Sequence, residues 1–171
     1  MAAPTRKKRN KHIVAFFKTY PGFRFDEEKD AIAEWRRLCR DTLDLDPDDW
    51  NNKVVEEGRK RLFEALVLQF DTKYRTGDTL ESWQCLCRQL DIKGAWWTVP
   101  TMGAQAVLCT HVNIIDLMQV YPNETPEIFE TEENLKDYSV RTGKILPKKH
   151  AMKGGLLLKA LLRGFPKNGK N

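Results

Sequence analysis

Four cysteines and three histidines are the residues of this chain best able to hold a metal or act as nucleophiles. Cys85-x-Cys87 has one intervening residue, whereas zinc modules commonly use two to four. On a helix those two side chains diverge by about 200°. Cys109-x-His111 supplies a second short pair, but no set of four ligands has the spacing of a zinc site. A Cys–His nucleophile would need Cys109 or Cys39 beside His111, which sequence order does not provide. The other histidines, His12 and His150, lie in basic segments. Adjacent carboxylates such as Asp48-Asp49 and Glu56-Glu57 read as solvated pairs. No phosphate-cradling glycine loop, H-E-x-x-H helix or G-x-S-x-G elbow occurs in the chain. The expectation is a protein that is not an enzyme, with no bound metal and no cofactor.

The remaining candidates are binding groups. Residues 1–12 hold Arg6, Lys7, Lys8, Arg9 and Lys11 with no acid, and residues 141–171 hold nine basic groups with no acid. The middle, 13–140, sets 15 basic residues against all 24 acids, so an acidic body carries two basic ends. Such ends contact phosphate, import receptors or anionic membrane, or simply keep a protein soluble. If Lys148 to Phe165 is one helix, Lys148, Lys149, Lys153, Lys159 and Arg163 share an arc of about 140°. Leu157, Leu158, Leu161, Leu162 and Phe165 then lie opposite, while Gly154-Gly155 weakens the helix by about 1 kcal/mol per glycine. Trp96-Trp97, between Gly94 and Pro100, is the second binding candidate. Loop aromatics anchor interfaces, stack on bases or plug the end of a helical bundle.

The elements that position these groups follow from the 3.6-residue period. A basic arm, 1–10, precedes a short helix from about Lys11 to Thr19, stopped by Tyr20-Pro21-Gly22. Asp26 is the expected N-cap of a second helix with Ile32, Trp35, Leu38, Cys39 and Leu43 on one face. Asp46-Pro47 is expected to open a third and longest helix, with Pro at its first position, running to about Tyr74. Asp78 or Thr79 caps a fourth, in which Leu80, Trp83, Leu86, Cys87 and Leu90 recur. The tryptophan loop occupies 91–102. Helical turns follow at about 102–109 and 112–120, then an acidic stretch with a short helix capped by Thr131. Gly143 and Pro147 delimit the last segment. No alternating strand emerges. The fold class is therefore all-α, a compact helical bundle with a basic amphipathic C-terminal helix. Its expected divisions are the arm 1–10, a helical domain 11–122, a connecting segment 123–147, and a basic helix and tail 148–171.

Trp35-Arg-Arg-Leu38-Cys39-Arg40 and Trp83-Gln-Cys-Leu86-Cys87-Arg88 repeat the pattern W-x-x-L-C-R. At helical spacing the Trp, Leu and Cys share a face and the Arg points away, so both copies read as core. The runs 70–92 and 110–117, with Phe17-Lys-Thr-Tyr20-Pro21-Gly-Phe23-Arg-Phe25 and Trp35–Cys39, resemble a group of small helical proteins common in fungal genomes. The resemblance spans roughly residues 13–120. It implies a helical fold and a fungal source, and it implies no activity.

No apolar run reaches the roughly 18 residues that span a bilayer, and Ile13–Phe17 is too short for a signal sequence. Cysteines set in helical patterns suit a reducing compartment. The expected location is the nucleus or cytoplasm, with Arg6-Lys7-Lys8-Arg9 as a short import signal. The expected function is a non-catalytic module that binds a protein partner. The alternative is DNA or RNA binding through the two basic ends.

Overall fold

The computed structural model of the chain describes residues 10–74, 79–92, 105–107, 109–120 and 124–162. The chain is predominantly helical, and α3 (Lys53–Tyr74) is its spine. Its 22 residues extend about 33 Å, long enough to carry several partners. α1 (Lys11–Phe17), α4 (Leu80–Gln89), α5 (Ile114–Gln119), α7 (Lys148–Ala151) and α8 (Leu156–Ala160) all pack against it. α6 (Glu132–Thr142) rests instead on a two-stranded antiparallel ribbon, β1 (His111–Val112) with β2 (Ile128–Phe129). This ribbon is an addition to the all-α expectation. At two residues per strand it is too short to leave an alternating signature, and it starts the helical turn at Ile114 rather than at 112.

Local side-chain chemistry sets the helix starts. α2 (Ala31–Asp41) is capped by Asp30, whose carboxylate accepts from the Ile32 and Ala33 amides at 3.0 Å each. Asp26, the expected cap, instead closes a turn by accepting from the Glu28 amide at 3.0 Å. α3 likewise starts later than expected. Asp46 accepts from the Asp48 amide and Asp49 from the Asn51 amide, each tying off its own turn. Asn52 then caps α3 through the Val54 and Val55 amides, so Pro47 is buried in the preceding loop and not at the first helical position. Thr79 caps α4 and Thr131 caps α6 through their hydroxyls, both as expected.

Burial follows the helical stripes. Trp35, Leu38 and Cys39, and equally Trp83, Leu86 and Cys87, are buried, while Arg40 and Arg88 are exposed. Both W-x-x-L-C-R copies are therefore packing elements. Trp35 reaches α3 because position 58 is glycine. A Cβ there would lie 2.2 Å from Trp35 Cη2 and 3.0 Å from the Tyr20 hydroxyl. Phe16 and Tyr20 complete this aromatic contact, at 6.0 and 6.1 Å between ring centroids from Trp35.

The C-terminal segment departs most from its pattern. The expected continuous helix is two short ones, broken at Gly154-Gly155. A Cβ at Gly154 would lie 3.1 Å from Val67 Cγ1, and the Gly155 amide donates to Asp71 at 3.0 and 3.1 Å. The break thus serves close docking on α3, and Ala151, Leu157, Leu158 and Leu161 are buried there.

Candidate functional site

Of the basic groups singled out by sequence, Lys148 and Lys149 are exposed on α7 and Lys159 is half-buried on α8. Lys153 is exposed and bonds to Glu64 of α3 at 2.8 Å. Arg6, Lys7, Lys8, Arg9 and Arg163 lie outside the described residues, as do Trp96 and Trp97. The expected single basic face is divided by the glycine break. Burial pushes the Cys39 and Cys87 thiols up to about 11, which keeps them protonated at neutral pH. Among the described residues, no three His, Cys, Asp or Glu side chains are arranged to hold a metal ion. The histidines are well separated in role. His12 bonds to Thr72 at 2.9 Å, His111 pairs opposite Phe129 in the ribbon, and His150 is buried 5.4 Å from the Phe63 ring.

The densest polar cluster joins residues no motif had connected. Lys144 Nζ lies 2.6 Å from Asp116 Oδ1, 2.7 Å from the Tyr138 hydroxyl and 3.1 Å from Asp30 Oδ2. The Tyr138 hydroxyl donates to Asp116 Oδ2 at 2.8 Å. Gln119 bridges onward, donating to Asp30 at 3.0 Å and accepting from the Ala31 amide at 2.6 Å. Asn113 caps α5 with its oxygen and donates to Ser139 and to the Lys144 carbonyl, both at 2.9 Å. Burial alone would lower the Lys144 pKa. Bonds to Asp116 and Tyr138 and the charge of Asp30 outweigh it and raise the pKa instead. A lysine that holds its proton this firmly is a poor base or nucleophile. This seam fastens the start of α2 to α5, α6 and the loop after α6.

Beside the seam, Val107, Val112, Leu135, Ile145, Leu146 and Leu161 line a cleft of about 110 Å³. Its polar members, Thr110, Asn113, Ser139 and Lys144, each bond within the fold, and the larger part of the wall is apolar.

The loop ahead of α3 holds the most exposed large hydrophobic side chain among the described residues. Trp50 is 65% exposed and Val54, near it in sequence, is 55% exposed. The loop is fixed: besides its two Asx turns, the Asp49 amide donates to the Asp46 carbonyl and the Asn52 amide to the Asp49 carbonyl. Arg59 of α3 lies 4.2 Å from the centre of the Trp50 ring and is itself buried. That cation–π contact holds the indole in place while most of its surface meets solvent. Around it, residues 41–57 contain seven carboxylates and a single cation, Lys53. Asp41, Asp44, Asp46, Asp48, Asp49, Glu56 and Glu57 are all exposed. Sequence reading missed Trp50 by placing it inside the helix expected from Asp46. Its signal was the run Asp46-Pro-Asp-Asp-Trp50-Asn-Asn, in which turn-forming residues surround a large aromatic. No described helix is long and apolar enough to cross a membrane. Comparison with family models, curated proteins and solved structures finds no match to this chain.

Proposed function

We propose that this chain is a non-catalytic helical interaction module that binds a protein partner. The observation that carries the reading is Trp50, held by Arg59 and a rigid loop with 65% of its surface outside the core. Aromatic anchors of this kind dominate binding energy at protein interfaces, and a fixed anchor loses little entropy on binding. Among the reactive groups, Lys144 bonds three side chains and Cys39 and Cys87 are buried thiols, while Cys85 is half-buried and Cys109 is an exposed free thiol. Trp96 and Trp97 remain a second proposed contact surface. Arg6-Lys7-Lys8-Arg9 is proposed to direct the protein to the nucleus, and membership of the fungal helical group belongs to the same proposal.

The test is chemical crosslinking in host-cell extract with wild-type protein and with Trp50→Ala, each verified as folded by circular dichroism. The expected result is a defined crosslinked partner that the Trp50→Ala protein loses. The same partners at the same yield with both proteins would sink the reading for this surface.

The exposure of Lys148 and Lys149 on α7 keeps the nucleic-acid reading in play as the alternative. It predicts binding to duplex DNA or RNA whose log affinity falls linearly with log salt. Lys148→Gln with Lys149→Gln should weaken that binding. Absence of binding at low salt would retire it.

A further inference from the structure

We infer that the segment received by the Trp50 edge is a lysine- and arginine-rich stretch of the partner protein. This rests on the partner-binding reading and adds the chemistry of what is bound. The sequence window 41–57, which contains the exposed Trp50 and Val54, carries a net charge of −6, with Arg36 facing Asp48 and Lys60 paired with Glu57 from outside it. Three classes of occupant suit that surface badly. Nucleic acid and an anionic membrane are repelled by the carboxylates, and a purely apolar partner would cover charges without compensating them.

A long basic side chain fits both halves of the surface. Its methylene stem packs on the exposed Trp50 ring, while its head reaches carboxylates of the adjoining loop such as Asp48 and Asp49. Several of those carboxylates are anchored in place. Asp46 and Asp49 each accept a backbone amide, and Asp48 faces Arg36 at 3.8 Å. Their charges are therefore presented at fixed positions. Such an arrangement speeds encounter with a cationic segment and selects against acidic ones. Arg59 occupies one contact with the indole and is buried beneath it, so the exposed ring surface is what a second basic side chain can use.

The test uses the full chain and a labelled twelve-residue peptide of Lys, Arg and Leu, with a Glu/Leu peptide of equal length as control, followed by fluorescence anisotropy. The basic peptide is expected to bind, and to bind at least about tenfold more weakly at 300 mM than at 50 mM salt. Trp50→Ala should weaken it about tenfold at constant salt. Asp41→Asn with Glu56→Gln should weaken it less and flatten the salt dependence. Equal binding by wild type and Trp50→Ala, or equal binding of the Glu/Leu peptide, would overturn the inference. So would no peptide binding at all, while the crosslinked partner of Trp50 would still stand as the separate test of the broader reading. Two further outcomes also overturn it by naming another occupant. A doubling of mass in sedimentation that Trp50→Ala abolishes assigns the edge to a second copy. Peptide binding that emerges only after Arg6, Lys7, Lys8 and Arg9 are changed to Gln assigns it to the chain's own basic arm.

Discussion

Two of the contacts that α2 makes work by opposite physics. At its middle, Trp35 lies against α3 at Gly58 in an aromatic contact, and the indole N–H has no hydrogen-bond partner among the described residues. At its start, Asp30 enters a seam in which Lys144, Asp116, Tyr138 and Gln119 satisfy one another. The first contact depends on shape, since one added methyl has nowhere to go. The second depends on completeness, since removing one member strands the charge of another. The difference teaches that the dry contact tolerates an orphaned donor because it gains in packing, whereas the polar seam tolerates none.

The largest expected effect is on the seam. Lys144→Met leaves Asp30 and Asp116 facing each other without their cation and should cost about 3 kcal/mol in urea unfolding. Adding Asp30→Asn and Asp116→Asn to that variant should recover much of the loss, because no half-buried charge is then unpaired. A neutral Lys144→Met would show the seam to be incidental. Next comes the dry contact. Gly58→Ala should cost about 2 kcal/mol through overpacking, although alanine in a helix ordinarily gains about 1 kcal/mol over glycine. Trp35→Phe shortens the ring and should rescue Gly58→Ala in the double variant. Additive losses would place the strain elsewhere.

A smaller effect separates the C-terminal docking from both. Burial first, then the charges of Lys149 and Lys153, hold the His150 pKa below 6.5. The unfolded chain therefore takes up that proton before the folded one does. His150 stabilises the fold fully above pH 6.5, and the contribution declines as pH falls below it. His150→Phe should make the melting temperature fall less between pH 7.5 and 5.5 than it does in wild type. Parallel curves would remove His150 from the balance. Smallest of all, Trp50→Ala should change stability by no more than about 0.5 kcal/mol, despite its size. A larger loss would mean that Trp50 belongs to the core with Trp35 and not to an interface.

Helices α1, α2 and α4 were legible because each buries one stripe, and a stripe is a local property of the sequence. Ile13, Phe16 and Phe17, or Trp83, Leu86 and Cys87, needed no knowledge of what they would meet. Helix starts were harder. Asp26 and Asp30 are both good caps, and the choice of Asp30 is reinforced by Gln119, 88 positions from the Ala31 amide that it accepts. The start of α3 was displaced for a local reason: Asp46 and Asp49 had turns of their own to close. In the C-terminal segment the spacing placed the leucines on one face without saying what that face meets; Leu157, Leu158 and Leu161 are buried, and the expected helix is not continuous. Asp71 and Val67 of α3, far away in sequence, set where the chain must bend.

The sequence alone determined which residues each helix would bury and where charge would accumulate, since both follow from composition and period within a short window. Only the tertiary structure decided which polar groups would meet and which aromatic would be left outside. Lys144, Tyr138, Asp116 and Asp30 carry no mutual spacing, and their contact exists because α2, α5 and α6 converge on one point. Trp35 and Trp50 stand fifteen residues apart, yet one is 1% exposed and the other 65%. The reason is physical: Trp35 meets a glycine on α3, while Trp50 meets the guanidinium of Arg59 and stays at the surface above it.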